Sequence, residues 1–171
     1  MKKTIIVTAL LACAVQSHAQ GQFLYNNILA PIYVGVVGST LANNNYSVDY
    51  IYTLPGSSQN VEGGKMALDA DGTFFGGTVT IPNYVGTISL QIRAWLTTDG
   101  STYETANIGG HTGASSVMQV ALGDSSAKPA VGATSLKDLS SFAVTASAVP
   151  EPSTIALGVM GLSVLLFRRR K

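Results

Sequence analysis

The stretch from Ile88 to Thr97 constrains the fold most, because Ile88, Leu90, Ile92, Ala94 and Leu96 alternate with Ser89, Gln91, Arg93, Trp95 and Thr97. A side-chain period of two sends the first set to one face of an extended strand and the second set to the other. The run therefore reads as a half-buried strand lying centrally in its sheet. Tyr46, Val48, Tyr50 and Tyr52 repeat the pattern against Ser47, Asp49, Ile51 and Thr53. Shorter strand candidates are Gln22 to Tyr25, Tyr33 to Val37, Lys65 to Asp69, Thr73 to Ile81, Ser116 to Leu122 and Ser141 to Ala146. Turn signals stand between them: Pro55-Gly56, Gly63-Gly64, Asp71-Gly72, Pro82-Asn83, Asp99-Gly100, Gly109-Gly110 and Gly123-Asp124. Asp71-Gly72 reads as a hairpin turn, and Gly76-Gly77 as a bulge or a close backbone approach. No stretch holds a helical apolar period for three turns; single helical turns are expected at Thr102 to Ala106 and Leu136 to Leu139. The pattern predicts an all-β fold, an antiparallel sandwich of about eight strands spanning residues 20–148.

The two ends differ in kind from this middle. Lys2 and Lys3 precede an apolar run from Ile5 to Val15, followed by Ser17-His18-Ala19. A charged start, an apolar segment and a small-x-small site are the parts of a secretory signal peptide, here residues 1–19, with cleavage by signal peptidase after Ala19. Leu10-Leu11-Ala12-Cys13 also resembles a lipobox, which would make Cys13 a lipidation site; the well-placed Ser-x-Ala site favours ordinary cleavage. Cys13 is the single cysteine, so a chain cleaved after Ala19 has neither disulfide nor thiolate nucleophile. At the far end Val149-Pro150-Glu151-Pro152-Ser153-Thr154 leads into 13 apolar or small residues, Ile155 to Phe167, and then Arg168-Arg169-Arg170-Lys171. As a helix that run is about 20 Å long against a hydrocarbon core of about 30 Å, so it needs its flanks and snorkelling arginines to span. The basic cluster sets its end on the cytoplasmic side.

The order Val-Pro-Glu-Pro-Ser-Thr, short apolar helix, basic stop closely resembles the PEP-CTERM protein-sorting signal of Gram-negative bacteria, a tail also catalogued as the ice-binding protein C-terminal domain. The resemblance covers residues 149–171: motif 149–154, transmembrane helix 155–167, basic stop 168–171. It implies export, a transient inner-membrane anchor, and processing near Pro150, Glu151 and Pro152 by a membrane protease of the exosortase type. The product would then reach the cell surface or the extracellular polymer matrix. The name of the tail carries no claim of ice binding. The two prolines forbid helix and keep the motif extended and accessible outside the membrane.

With the ends set aside, the middle holds four basic residues (Lys65, Arg93, Lys128, Lys137) against eight acidic ones (Asp49, Glu62, Asp69, Asp71, Asp99, Glu104, Asp124, Asp138), a net charge of −4. That balance argues against a nucleic-acid partner, which needs clustered Lys and Arg. His111 is the one histidine outside the signal and reads as an exposed loop residue in Gly-Gly-His-Thr-Gly. Asp69-Ala70-Asp71-Gly72 starts like a calcium loop but lacks the later ligands, so no metal is expected, and no cofactor motif occurs. The expectation is not an enzyme but a structural or adhesive surface component. A carbohydrate-binding module using Trp95 and the seven tyrosines is the alternative, with exopolysaccharide as partner and with Trp95, Arg93 and Gln91 on one strand face as its patch. A glycan hydrolase using two of the scattered carboxylates is the distant third reading.

Overall fold

The structure is a computed structural model that describes residues 19–108 and 110–146. The signal segment before Ala19, Cys13, and the whole tail from Val149 to Lys171 with its expected helix lie outside the described residues. Among the described residues no helix is long and apolar enough to cross a membrane.

The described residues are mostly β and form two sheets. The smaller is built on β1 (Gln20–Asn26), paired along its length with β6 (Phe75–Pro82) and on its other edge with two short pieces, β10 (Gly123–Asp124) and β11 (Thr134–Ser135). The larger runs β3 (Thr40–Leu41), β2 (Tyr33–Val34), β12 (Ala143–Ala146), β8 (His111–Ala114), β7 (Thr87–Leu96), β4 (Tyr46–Thr53), β5 (Asn60–Ala67), with β9 (Met118–Ala121) beside β8 on the same edge of β7. β7 is central, as its alternation predicts, and its register with β4 runs unbroken from Thr53↔Ser89 to Tyr46↔Leu96. Between β8 and β9 the ladder is repaired by a side chain. Ser115 donates its N–H to the Ile92 carbonyl at 2.8 Å, and its Oγ accepts the Ile92 N–H at 3.0 Å.

The apolar faces of both sheets close on one core. Phe23, Tyr25 and Ile81 of the small sheet meet Val48, Tyr50, Ile88, Leu90 and Ile92 of the large one. The Tyr50 ring lies edge-on to Phe23 at 5.5 Å and to Tyr25 at 5.0 Å, the geometry favoured by the ring quadrupoles.

Several expectations are corrected by this topology. The pairing is not purely antiparallel, because β1–β11 and β2–β12 are parallel. Among the described residues the strand pieces number twelve rather than about eight, several only two residues long, since a short extended piece pairs wherever a neighbour offers an edge. Asp71-Gly72 forms a tight turn, with Asp69 N–H donating to the Thr73 carbonyl at 2.7 Å, yet it is no hairpin: β5 before it and β6 after it belong to different sheets. Gly63-Gly64 is not a turn but the middle of β5. A bulge against Asp49 gives Gly64 a φ of 69°, and any side chain there would strike the Tyr50 ring. Gly76 is both bulge and close approach: the register slips there, and a Cβ would fall 2.2 Å from Tyr25 Cδ1. Leu136 to Leu139 is a turn closed by Leu139 N–H to the Leu136 carbonyl at 3.1 Å, not a helix.

Candidate functional site

Alternation sends Ser47, Asp49, Gln91, Arg93 and Trp95 to the face of the large sheet that points away from the core, where solvent is the simple expectation. Four of them are nevertheless buried: Ser47, Asp49, Arg93 and Trp95. The cover is local. After β7 the chain turns back over its own strand and forms α1 (Tyr103–Ala106), capped reciprocally by Thr102 and Thr105. Trp95 lies beneath this strap with no exposed surface, and its indole N–H donates to the Gly100 carbonyl at 2.9 Å. The Tyr103 ring stands edge-on to it at 6.4 Å. Lys65 of β5 closes the other side, its ammonium donating to the Ser101 carbonyl and lying 5.6 Å from the Trp95 ring centroid.

Arg93 is the hub of this face. Its Nε and Nη2 donate to the two oxygens of Asp49 at 2.9 and 2.6 Å, a bidentate pair across β7 and β4. Its Nη1 donates to Glu104 Oε1 at 2.6 Å and to Glu62 Oε1 at 3.2 Å. The guanidinium also lies 4.8 Å from the Tyr103 ring centroid. One cation thus joins β4, β5, β7 and α1. Burial pushes the Asp49 carboxyl above its ordinary value, and the hydrogen bonds and charge of Arg93 pull it part of the way back. Arg93 is held above its ordinary value: burial alone would lower it, and Asp49, Glu104 and Glu62 together outweigh that. Glu104 sits below its ordinary value despite partial burial, through a backbone N–H at the start of α1 and through Arg93.

The structure therefore brings Arg93 and Trp95 together but turns both inward. Gln91, the third member of the expected patch, donates to the Ser115 carbonyl at 2.8 Å and serves the ladder. A shallow groove of about 170 Å³ borders Asp49, Glu62, Gly63, Lys65, Trp95 and Thr102, but the buried indole presents no ring there for a sugar to stack on. Asp49, Glu62 and Glu104, three of the carboxylates considered for hydrolysis, meet at the same guanidinium. Sequence reasoning missed this cluster; its signal was a pair of opposite charges, Arg93 and Asp49, on the polar faces of the two clearly alternating strands.

His111 is corrected from an exposed loop residue to the first residue of β8, with 44% of its side chain exposed. Its backbone N–H donates to Asp99 Oδ2 at 2.6 Å and its Nδ1 lies 2.8 Å from the same oxygen, contacts that hold Asp99 below its ordinary value. Among the described residues no group of three His, Cys, Asp or Glu is arranged to hold a metal ion. Ala19, the expected cleavage residue, directly precedes the first strand, so a cut there leaves β1 whole.

No curated protein and no solved structure matches the chain. Residues 148–171 match the PEP-CTERM protein-sorting motif, and the chain is thereby an exported protein that carries the substrate signal of an exosortase, a membrane protease.

Proposed function

We propose that the protein is held briefly in the inner membrane by its tail, cut within the Pro150-Glu151-Pro152 region, and released to the cell surface or extracellular matrix. There its β-domain, read as a two-layer sandwich, serves as a structural or adhesive component. The observation that carries this reading is the sorting motif joined to a domain whose buried charges are spent on its own cohesion: Arg93, paired with Asp49 in the sheet, holds α1 through Glu104. With Asp49, Glu62 and Glu104 all hydrogen-bonded to one guanidinium, none of the three is placed as a free acid and base. The carbohydrate-binding alternative loses its aromatic platform with Trp95 buried, and a glycan array probed with the secreted, processed product tests it directly. Intact mass of that product, with fractionation, tests the sorting itself. The expected mass lacks Ile155 to Lys171, and extracellular protein that retains them would overturn the reading.

A further inference from the structure

The described domain ends at the C-terminal tip of β12, and that tip has neighbours on both sides. On one side β2 runs parallel to it, with Val144 opposite Val34, so the chain beyond Val34 continues in the direction of Ala146 and turns through Gly35-Val36-Val37-Gly38. The Gly35 N–H donates to the Val144 carbonyl at 2.8 Å. Ser39 pins the turn, its Oγ lying 2.6 Å from the Val36 carbonyl and 2.7 Å from that of Val34. On the other side Ala146 stands opposite His111, the start of β8, which the loop carrying Ile108 precedes. The side chains at these two tips are apolar and turned to solvent: Val36 is 69% exposed, Val37 52% and Ile108 87%. No Asp, Glu, Lys or Arg occurs between Tyr33 and Val48 or between Thr105 and Gly123, and the one ionisable group there besides tyrosine, His111, is paired with Asp99.

Chain length decides what this end faces. Only residues 147–149 separate Ala146 from Pro150, so even a fully extended chain keeps Pro150, the start of the processing motif, within roughly 14 Å of the strand tip. The apolar run beginning at Ile155 lies within roughly 30 Å. Whatever path the linker takes, this end of the domain stays within that reach of the tail when the tail is inserted.

We propose that Val36, Val37 and Ile108 form a lip that seats the tethered precursor on the lipid surface, fixing the domain's orientation while the Pro150-Glu151-Pro152 peptide is presented for cutting. The inference rests on the sorting reading and adds the partner surface to it. Three apolar side chains bind a bilayer weakly by themselves, but a tether this short raises their effective concentration at the membrane to the millimolar range. Cutting the tail removes that advantage, so the same weak contact lets the product leave.

The test uses the full chain in phosphatidylcholine–phosphatidylglycerol vesicles whose acyl chains are brominated near the headgroup. Val36→Trp and Ile108→Trp are compared with Val61→Trp, after subtraction of the signal of the parent's Trp95. Val61 pairs with Tyr52, six residues along β4 from Tyr46, which places it roughly 20 Å from the lip end of the sheet. Quenching at 36 and 108 at least about twofold above that at 61, lost for the secreted, untethered product, is the expected result. Equal quenching at the three positions in chains that float with the vesicles would overturn the lip and leave the sorting reading standing. Chains that fail to float would overturn both. Equal quenching combined with slower processing of Ile108→Ser in cells would reassign the lip to the protease and so overturn the lipid contact.

Discussion

The two faces of β7 obey different rules although one strand makes both. Toward the core, Ile88, Leu90 and Ile92 are buried by simple alternation, and their partners are other apolar side chains whose identity matters less than their volume. Away from the core, Arg93 and Trp95 are equally buried, but through particular partners: Asp49 across the ladder, Glu62 from the edge strand, Glu104 and the Gly100 carbonyl from the strap. A hydrophobic face tolerates local change because its driving force is non-directional, whereas a buried ionic face fails when one member is lost.

The sharpest way to break this contrast is Arg93→Met. It keeps volume on the outer face but leaves the Asp49 carboxylate buried without its cation, and a loss of about 3–5 kcal/mol is expected in urea unfolding of the secreted product. Adding Asp49→Asn to that variant should restore much of the loss; a double variant no better than Arg93→Met alone would show that the charge pairing is not what holds the outer face. Trp95→Phe comes next, at about 2 kcal/mol, because it removes the indole donor to Gly100 and part of the volume beneath the strap. Hydrogen exchange should then report faster opening of residues 100–106 with Ile88 to Ile92 unchanged, and uniform acceleration would contradict separate faces. Glu62→Gln, at a half-exposed position, is expected to cost below about 1 kcal/mol by the same unfolding assay.

Acid sharpens the comparison without mutation. Asp99 and Glu104 have folded values below their ordinary ones, so the stability they contribute is present above those ordinary values, near pH 4, and is lost as pH falls through the lower folded values. Asp49 works in the opposite sense, since its raised value favours proton uptake by the folded chain. The strap is therefore expected to loosen below about pH 4, seen as a red shift of Trp95 emission, while the core retains its exchange protection. Loss of both at one pH would show that the outer face is no separate unit.

What could be read beforehand divides along the same line. The central position of β7, the course of β4 and the helical turn at Tyr103 to Ala106 follow from nearby residues, because period-two burial and a capping threonine act over a few positions. β5 was only half legible: its Asn-Val-Glu-Gly-Gly start has no alternation, and its glycine pair looks like a turn until the Tyr50 ring is seen to occupy the space. The patch at Gln91, Arg93 and Trp95 was placed on the correct face, yet its burial depends on a strap whose path alternation does not encode.

The sequence alone determined that the chain carries an export and sorting signal, because residues 148–171 form a linear motif that needs no fold to be legible, and it determined the inner face of the large sheet, because alternation is a local property of the chain. Only the tertiary structure decided the parallel pairings of β1 with β11 and β2 with β12, the meeting of three carboxylates at Arg93, and the pair of apolar tips beside the exit of the chain. These depend on contacts between residues far apart in sequence, where the free energy of pairing belongs to both partners and is written in neither alone.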